Sequence, residues 1–121
     1  MARIEKFEDI LAWQKARQLV GDVYRVTRSP RFARDFALCD QIRRAVLSIM
    51  LNIAEGFARR GDRQFAQLLA VAHGSTAEVQ SALYIALDQE YIDQKTFDLL
   101  YDRSTEVSRT IAGLIRYLRK G

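Results

Sequence analysis

Apolar residues recur along this chain at intervals of three and four, the period of a helix with one buried side. Chain-breaking residues are sparse: one proline, Pro30, and six glycines, at 21, 56, 61, 74, 113 and 121. That leaves little room for hairpins, and the pattern predicts four helices. The first covers about Phe7 to Thr27, with Ile10, Trp13, Val20, Val23 and Thr27 on one side. It ends before Ser29-Pro30, because proline disfavours helical backbone at the residue before it. The second runs from about Asp35 to Arg60 and stops at Gly61. Asp62 can cap a third, which runs to about Gln89. Tyr91-Ile92 connects to a fourth, capped by Asp93 and ending at Lys120. Its Phe97, Leu100, Val107, Ile111, Leu114 and Leu118 form a near-heptad seam. Four long helices with short connections predict an all-α, antiparallel up-down-up-down four-helix bundle, one domain over residues 1–121.

The predicted second helix is apolar over too much of its surface for a lone bundle. At about 100° per residue its apolar side chains cover roughly 240° of the circumference, against a little over about 100° for one buried stripe. Ile42, Val46, Ile49, Ile53 and Phe57 form one stripe, and Leu47, Leu51, Ala54 and Ala58 another, nearly opposite. The surplus predicts a second covering surface, supplied by another subunit, and hence a homo-oligomer. The remaining arc is polar: Arg44, Ser48, Asn52, Glu55 and Arg59, with Glu55 and Arg59 at ion-pair spacing. The third helix offers His73, Ser75, Thr76 and Glu78 around Gly74. Glycine in mid-helix costs up to about 1 kcal/mol relative to alanine, and close approach of a neighbouring helix is the expected reason. Ser48, Asn52, Glu55, Ser75 and Glu78 are therefore read as a structural polar network that sets helix register, with Asn52–Ser75 as one candidate pair.

Composition narrows the class. Apolar residues make up 49% of the 121 and charged residues 28%, the balance of a soluble globular domain. No apolar run approaches the roughly 18–20 residues of a membrane span. The N-terminal residues lack the pattern of a secretory signal. One cysteine, Cys39, and one histidine, His73, exclude a disulfide within the chain and leave no Cys/His zinc set. A reducing cytoplasm is the expected setting.

Catalytic candidates are few. Glu55 with Glu78 is a possible carboxylate pair, and Cys39 has only His73 as a histidine partner. The His73–Glu78 spacing does not share one helix face well, and no Glu-x-x-His motif or phosphate-binding glycine loop is present. No catalytic residue, cofactor or metal is expected, and an enzyme is the least favoured class.

Charge points elsewhere. The net charge is +4, carried by fifteen Arg and four Lys. Residues 1–60 hold a net +5 and residues 61–121 a net −1. Arginine makes bidentate bonds to phosphate, so the skew suits nucleic acid or tight ion pairing. Arg25, Arg28, Arg31 and Arg34 are evenly spaced through the Pro30 connection, and Arg59, Arg60 and Arg63 flank Gly61. An oligomer would repeat each cluster into a basic ring that binds phosphates without sequence preference. The competing reading is solvated loops with cations near helix C-termini, where the dipole favours them.

The segments FEDILAWQKARQLVGDVY, LCDQIRRAVLSIMLNIAEGFARRGDRQFAQLLAVAHGSTAEVQSALYIAL and EYI, in this order, resemble the four-helix-bundle protein family of 23S rRNA intervening sequences. The resemblance covers most of the chain and is weakest in the fourth helix. It implies an antiparallel four-helix bundle assembled as a homopentamer. A related branch comprises accessory proteins of diversity-generating retroelements, which implies nucleic acid and a reverse transcriptase as partners. It places Arg43, Arg44, Asn52, Glu55, Gly56, Gly74, Ser75 and Glu78 on motif positions, with no catalytic residue or cofactor among them. Two positions depart from the family pattern: Glu90 stands where glycine commonly precedes Tyr-Ile, and His73 where relatives are often basic. The candidate nucleic-acid set is thus Arg25, Arg28, Arg31, Arg34, Arg43, Arg44, Arg59, Arg60 and Arg63. A protein-interaction scaffold, for example an accessory subunit to a reverse transcriptase, is the alternative.

Overall fold

Ile10 divides the first predicted helix in two. Its backbone is extended (φ −77°, ψ 119°) and its side chain is buried. In the computed structural model, which describes residues 4–120, Phe7–Asp9 is therefore a separate 3-10 turn, and helix α1 spans Leu11–Thr27. The chain continues through α2 (Pro30–Arg34), α3 (Phe36–Ala58), α4 (Asp62–Asp88) and α5 (Gln94–Lys120). Proline ends α1 as expected, but it also starts α2, because its fixed φ suits the first position of a helix. The segment predicted as a plain connection is thus a one-turn helix whose Phe32 is fully buried.

Asp35 holds this corner together. One carboxylate oxygen accepts the Leu38 N–H at 3.0 Å and caps α3, and the other accepts the Tyr91 hydroxyl at 2.9 Å. That carboxylate raises the Tyr91 pKa above its ordinary value, with burial adding to the effect. Phe32 lies 5.3 Å from the Tyr91 ring, and Arg31 donates to the carbonyls of Gln89 and Glu90. The residue 28–35 segment and the residue 89–93 connection therefore meet at one end of the molecule.

Capping partly departs from expectation. Gly61, not Asp62, is the N-cap of α4; Asp62 is the first helical residue and lends its charge to the first turn. Asp93 does cap α5, accepting the Thr96 N–H at 2.8 Å, and bonding from the Thr96 side chain and then its backbone lowers the Asp93 pKa. Two connections use left-handed backbone at non-glycine residues, Arg60 (φ 63°) and Glu90 (φ 60°). After α4, the Tyr91 N–H bonds the Ala86 carbonyl and the Glu90 N–H bonds that of Leu87, the paired bonds of a Schellman motif.

The core draws on α1, α3, α4 and α5, with Phe32 at one end. Ile42, Val46, Ile49 and Ile53 of α3 are fully buried, as are Leu69, Val79 and Leu83 of α4. On α1 the buried line is Ala12, Ala16, Leu19, Val23 and Thr27, while Trp13 and Val20 only flank it. Small alanines let neighbouring helices approach, so the bulky residues mark the edge of this face and not its centre. The α5 seam holds from Phe97 to Ile111, and Leu114 and Leu118 are half-buried.

Cross-links step in opposite directions along neighbouring helices. Ser48 meets Ser75 and Phe57 meets Phe65 between α3 and α4. Tyr84 meets Phe97 and His73 meets Ser108 between α4 and α5. Lys15 pairs with Glu106 and Asp22 with Arg103 between α1 and α5. The tight crossing of α3 on α4 is at Gly56, where an added Cβ would stand 2.9 Å from Phe65 Cδ1 and 3.1 Å from Leu68 Cβ. The close approach expected at Gly74 is not there: a Cβ at Gly74 meets nothing within 4 Å.

Candidate nucleic-acid interface

The structure sorts the nine candidate arginines by what already holds them. At the Pro30 end, Arg25 bonds Asp22 at 3.1 Å and Arg44 bonds Asp40 at 2.8 Å. Arg43 donates to Thr27 Oγ1 at 2.9 Å and lies 4.5 Å from the centre of the Tyr24 ring, joining α3 to α1. Arg31 covers Tyr91 and the end of α4. Arg28 and Arg34 are exposed and form no ion pair among the described residues. Asp88, Glu90 and Asp93 are exposed at or beside the 89–93 connection of the same end.

The opposite end is more uniformly basic. Arg59 pairs with Glu55 at 2.8 Å, the spacing expected from sequence. Arg60 and Arg63 are exposed and without an ion pair among the described residues. The last turn of α5 returns beside them. Arg63, Gln67 and Arg119, with Asp62, Ala66 and Leu118, line one hollow of about 470 Å³. Arg59, Gln64, Gln67 and Leu68 line a smaller one. Sequence reading missed Arg119; the direction of the fourth helix, which brings its last turn back to the Gly61 connection, is the signal that points to it. The 23 residues of α3, about 35 Å of helix, separate the two arginine clusters.

The polar arc of α3 is smaller than expected. Ser48 is its hub: Ser75 donates to the Ser48 hydroxyl at 2.9 Å, and Asn52 donates to the same oxygen at 3.0 Å and to the Ser48 carbonyl at 2.8 Å. Asn52 thus reaches Ser75 through Ser48 and not directly. Glu55 turns away to Arg59, and Glu78 makes no hydrogen bond among the described residues, because both point to solvent. Glu55 and Glu78 therefore lie outside the network.

Groups with chemical potential are dispersed. His73 shares a hydrogen bond of 3.0 Å with Ser108 on the exposed α4–α5 side. Cys39 is half-buried in the first turn of α3. No group of three or more His, Cys, Asp or Glu among the described residues is arranged to hold a metal ion. The second apolar stripe of α3 is partly open in the single chain: Leu47 and Ala54 are half-buried, Leu51 is 61% exposed, and Val71 of α4 is 50% exposed. Leu51 and Val71 sit one turn from Ser48 and Ser75, the pair that joins their helices. No helix among the described residues is long and apolar enough to cross a membrane.

Helices with a shared apolar core and arginines gathered at the helix ends define a small all-α domain that offers charge and surface. The chain belongs to the 23S rRNA-intervening sequence protein family, whose model matches residues 8–113. It is also similar in fold to a crystal structure from Bacteroides thetaiotaomicron VPI-5482, described as a protein with unknown function from the S23 ribosomal protein family. That likeness has a TM-score of 0.79 at 21% identity, over 87% of this chain and 98% of the other. No protein of curated function matches.

Proposed function

We propose that this protein is a non-enzymatic, homo-oligomeric helical bundle that binds the phosphate backbone of RNA or DNA. The observation that carries the reading is the placement of Arg63. It lies at the second position of α4, where the helix dipole disfavours a cation, and it has no ion pair among the described residues. The rival reading, arginines held as favourable helix ends, suits Arg59 and Arg60 but not Arg63. Arg119 beside it adds a further charge. Dispersal of Cys39, His73 and Glu55 supports the non-enzymatic part.

The opposed stepping of the cross-links supports an antiparallel up-down-up-down course for the long helices. Exposed Leu51 and Val71 support self-association, with five copies the number that the family resemblance suggests, and a mass of five times the 13.9 kDa chain by light scattering is its test. The same apolar strip supports the second reading, a scaffold for a protein partner such as a reverse transcriptase. The cytoplasm fits the single cysteine.

The test of nucleic-acid binding is fluorescence anisotropy with labelled RNA and DNA over a salt series, on protein freed of co-purified nucleic acid. The logarithm of affinity should fall linearly with the logarithm of salt. Replacing Arg60, Arg63 and Arg119 by alanine should flatten the slope for a single strand by about 2, at roughly 0.7 per lost phosphate contact. Absence of binding at low salt refutes the reading and leaves the scaffold.

A further inference from the structure

Along the outer face of α1, with Arg103 of α5 beside it, runs an open groove of about 750 Å³, lined by Gln14, Gln18, Gly21 and four cations, Lys15, Arg17, Arg103 and Arg25, the last also a member of the Pro30 cluster. One carboxylate, Asp22, faces them from the same lining, and it is only 4% exposed. Its two oxygens are taken separately: Oδ1 accepts from Arg25 Nη1 at 3.1 Å and Oδ2 from Arg103 Nη1 at 2.7 Å. A guanidinium has five N–H donors, so each arginine spends one on Asp22 and keeps the others. The Arg25 and Arg103 side chains remain 71% and 37% exposed. Asp22 therefore acts as an internal counter-ion that fixes two guanidinium groups, one from each helix, without neutralising both.

Two further features suit an extended anion. Arg17 lies over the Trp13 ring, 5.8 Å from its centre, a cation–π contact that holds a third guanidinium at the groove. Gly21 is exposed in the middle of α1, and an added Cβ there meets nothing within 4 Å. Packing within the chain does not require this glycine, although glycine is less favourable than alanine in a helix. Its effect is to leave the helix backbone bare between Arg17 and Arg25. Lys15 is held at the groove wall by Glu106, whose pKa this bond lowers.

We propose that the α1–α5 groove binds one strand of nucleic acid, with Arg17, Arg25 and Arg103 bonding successive phosphates and Asp22 positioning two of them. The inference rests on the nucleic-acid reading given above and assigns it a second, separate contact surface.

Gly21 supplies the test, because substitution there removes no contact. Gly21→Glu places a carboxylate among the cations, and Gly21→Gln adds the same bulk without charge. Binding of a labelled single-stranded oligonucleotide, in RNA and DNA forms, is measured by anisotropy across a salt series, with helical content checked by circular dichroism. The expected result is at least a tenfold loss for Gly21→Glu and a salt slope flatter by about 1 to 2, with a much smaller change for Gly21→Gln. Arg17→Glu, at an exposed position, should give the same loss. If both acidic variants bind like the parent while the Arg60, Arg63 and Arg119 variant is weakened, the groove is refuted and nucleic-acid binding stands. If the parent protein binds neither RNA nor DNA at low salt, both proposals fall.

Discussion

Glu90 stands in left-handed backbone, φ 60°, where the chain turns from α4 towards α5. It occupies the C′ position of a Schellman motif, with its N–H bonded to Leu87 and the Tyr91 N–H to Ala86. A residue with a Cβ pays about 1–2 kcal/mol for this conformation, because the Cβ crowds the following carbonyl. Glycine has no such crowding, but it loses more chain entropy on folding, by about 0.4–1 kcal/mol. The Glu90 carboxylate makes no hydrogen bond among the described residues; only its backbone is used, the N–H towards Leu87 and the carbonyl by Arg31 at 3.4 Å. Nothing in the side chain therefore offsets the strain, and Glu90→Gly should stabilise the protein by about 0.5–1 kcal/mol. For a chain of this length the unfolding entropy makes each 1 kcal/mol worth about 4 °C in Tm. Thermal unfolding followed by circular dichroism at 222 nm measures the shift. Glu90→Gln separates backbone from charge, since Asp88 and Asp93 are near in sequence. It should leave Tm within about 1 °C, because exposed like charges contribute little. A gain for Glu90→Gln equal to that for Glu90→Gly would refute the backbone argument and assign the effect to repulsion among acids.

Glycine exchanges at two other positions should have opposite signs. Gly56→Ala should lose about 1 kcal/mol, as overpacking against Phe65 and Leu68 exceeds the gain in helix propensity. Gly74→Ala should gain up to about 1 kcal/mol, since its Cβ enters open space. Urea unfolding of both variants checks the pair: equal gains would refute the tight α3–α4 crossing, and a loss at Gly74 would reveal a second copy covering that face. The Asp93 cap should make α5 acid-sensitive. Its pKa is lowered in the fold by the Thr96 bonds, so its contribution is full above the ordinary aspartate pKa and lost as pH falls through the lowered one. Asp93→Asn keeps the acceptor and should show a flatter stability profile below about pH 4; an unchanged profile would refute the cap's role.

The four long helices and their approximate extents were legible in the sequence because they rest on repetition. Dozens of apolar positions vote for the same period, and Pro30, Gly61 and Asp93 mark ends that the structure keeps within a few residues. What escaped detection depends on single contacts. Ile10 interrupts a helical pattern by taking extended backbone with its side chain in the core. Phe32 turns a connection into a plug because Tyr91 waits across the bundle end. Gly56 and Gly74 have the same intrinsic propensity, and only the helix face each occupies decides which is needed for packing: Gly56 is buried against α4 and Gly74 is exposed.

The charge pattern is a harder case, because a count of arginines does not say which are already spent. Five of the nine candidates are partnered within the chain: Arg25 by Asp22, which it shares with Arg103 and which leaves its other donors free, Arg31 by Gln89 and Glu90, Arg43 by Thr27 and Tyr24, Arg44 by Asp40 and Arg59 by Glu55. The sequence excess lies in residues 1–60, yet much of it is answered there. Arg119 and Arg103, from the half with net −1, join the two basic surfaces that the fold builds. Net charge by segment therefore ranks the Pro30 cluster first, while unpaired charge in three dimensions ranks the Gly61 end above it. The comparison of Arg60, Arg63 and Arg119 variants with Arg28 and Arg34 variants decides between these rankings. A larger affinity loss at the Gly61 end means that partnering within the fold, and not linear density, sets where phosphate binds.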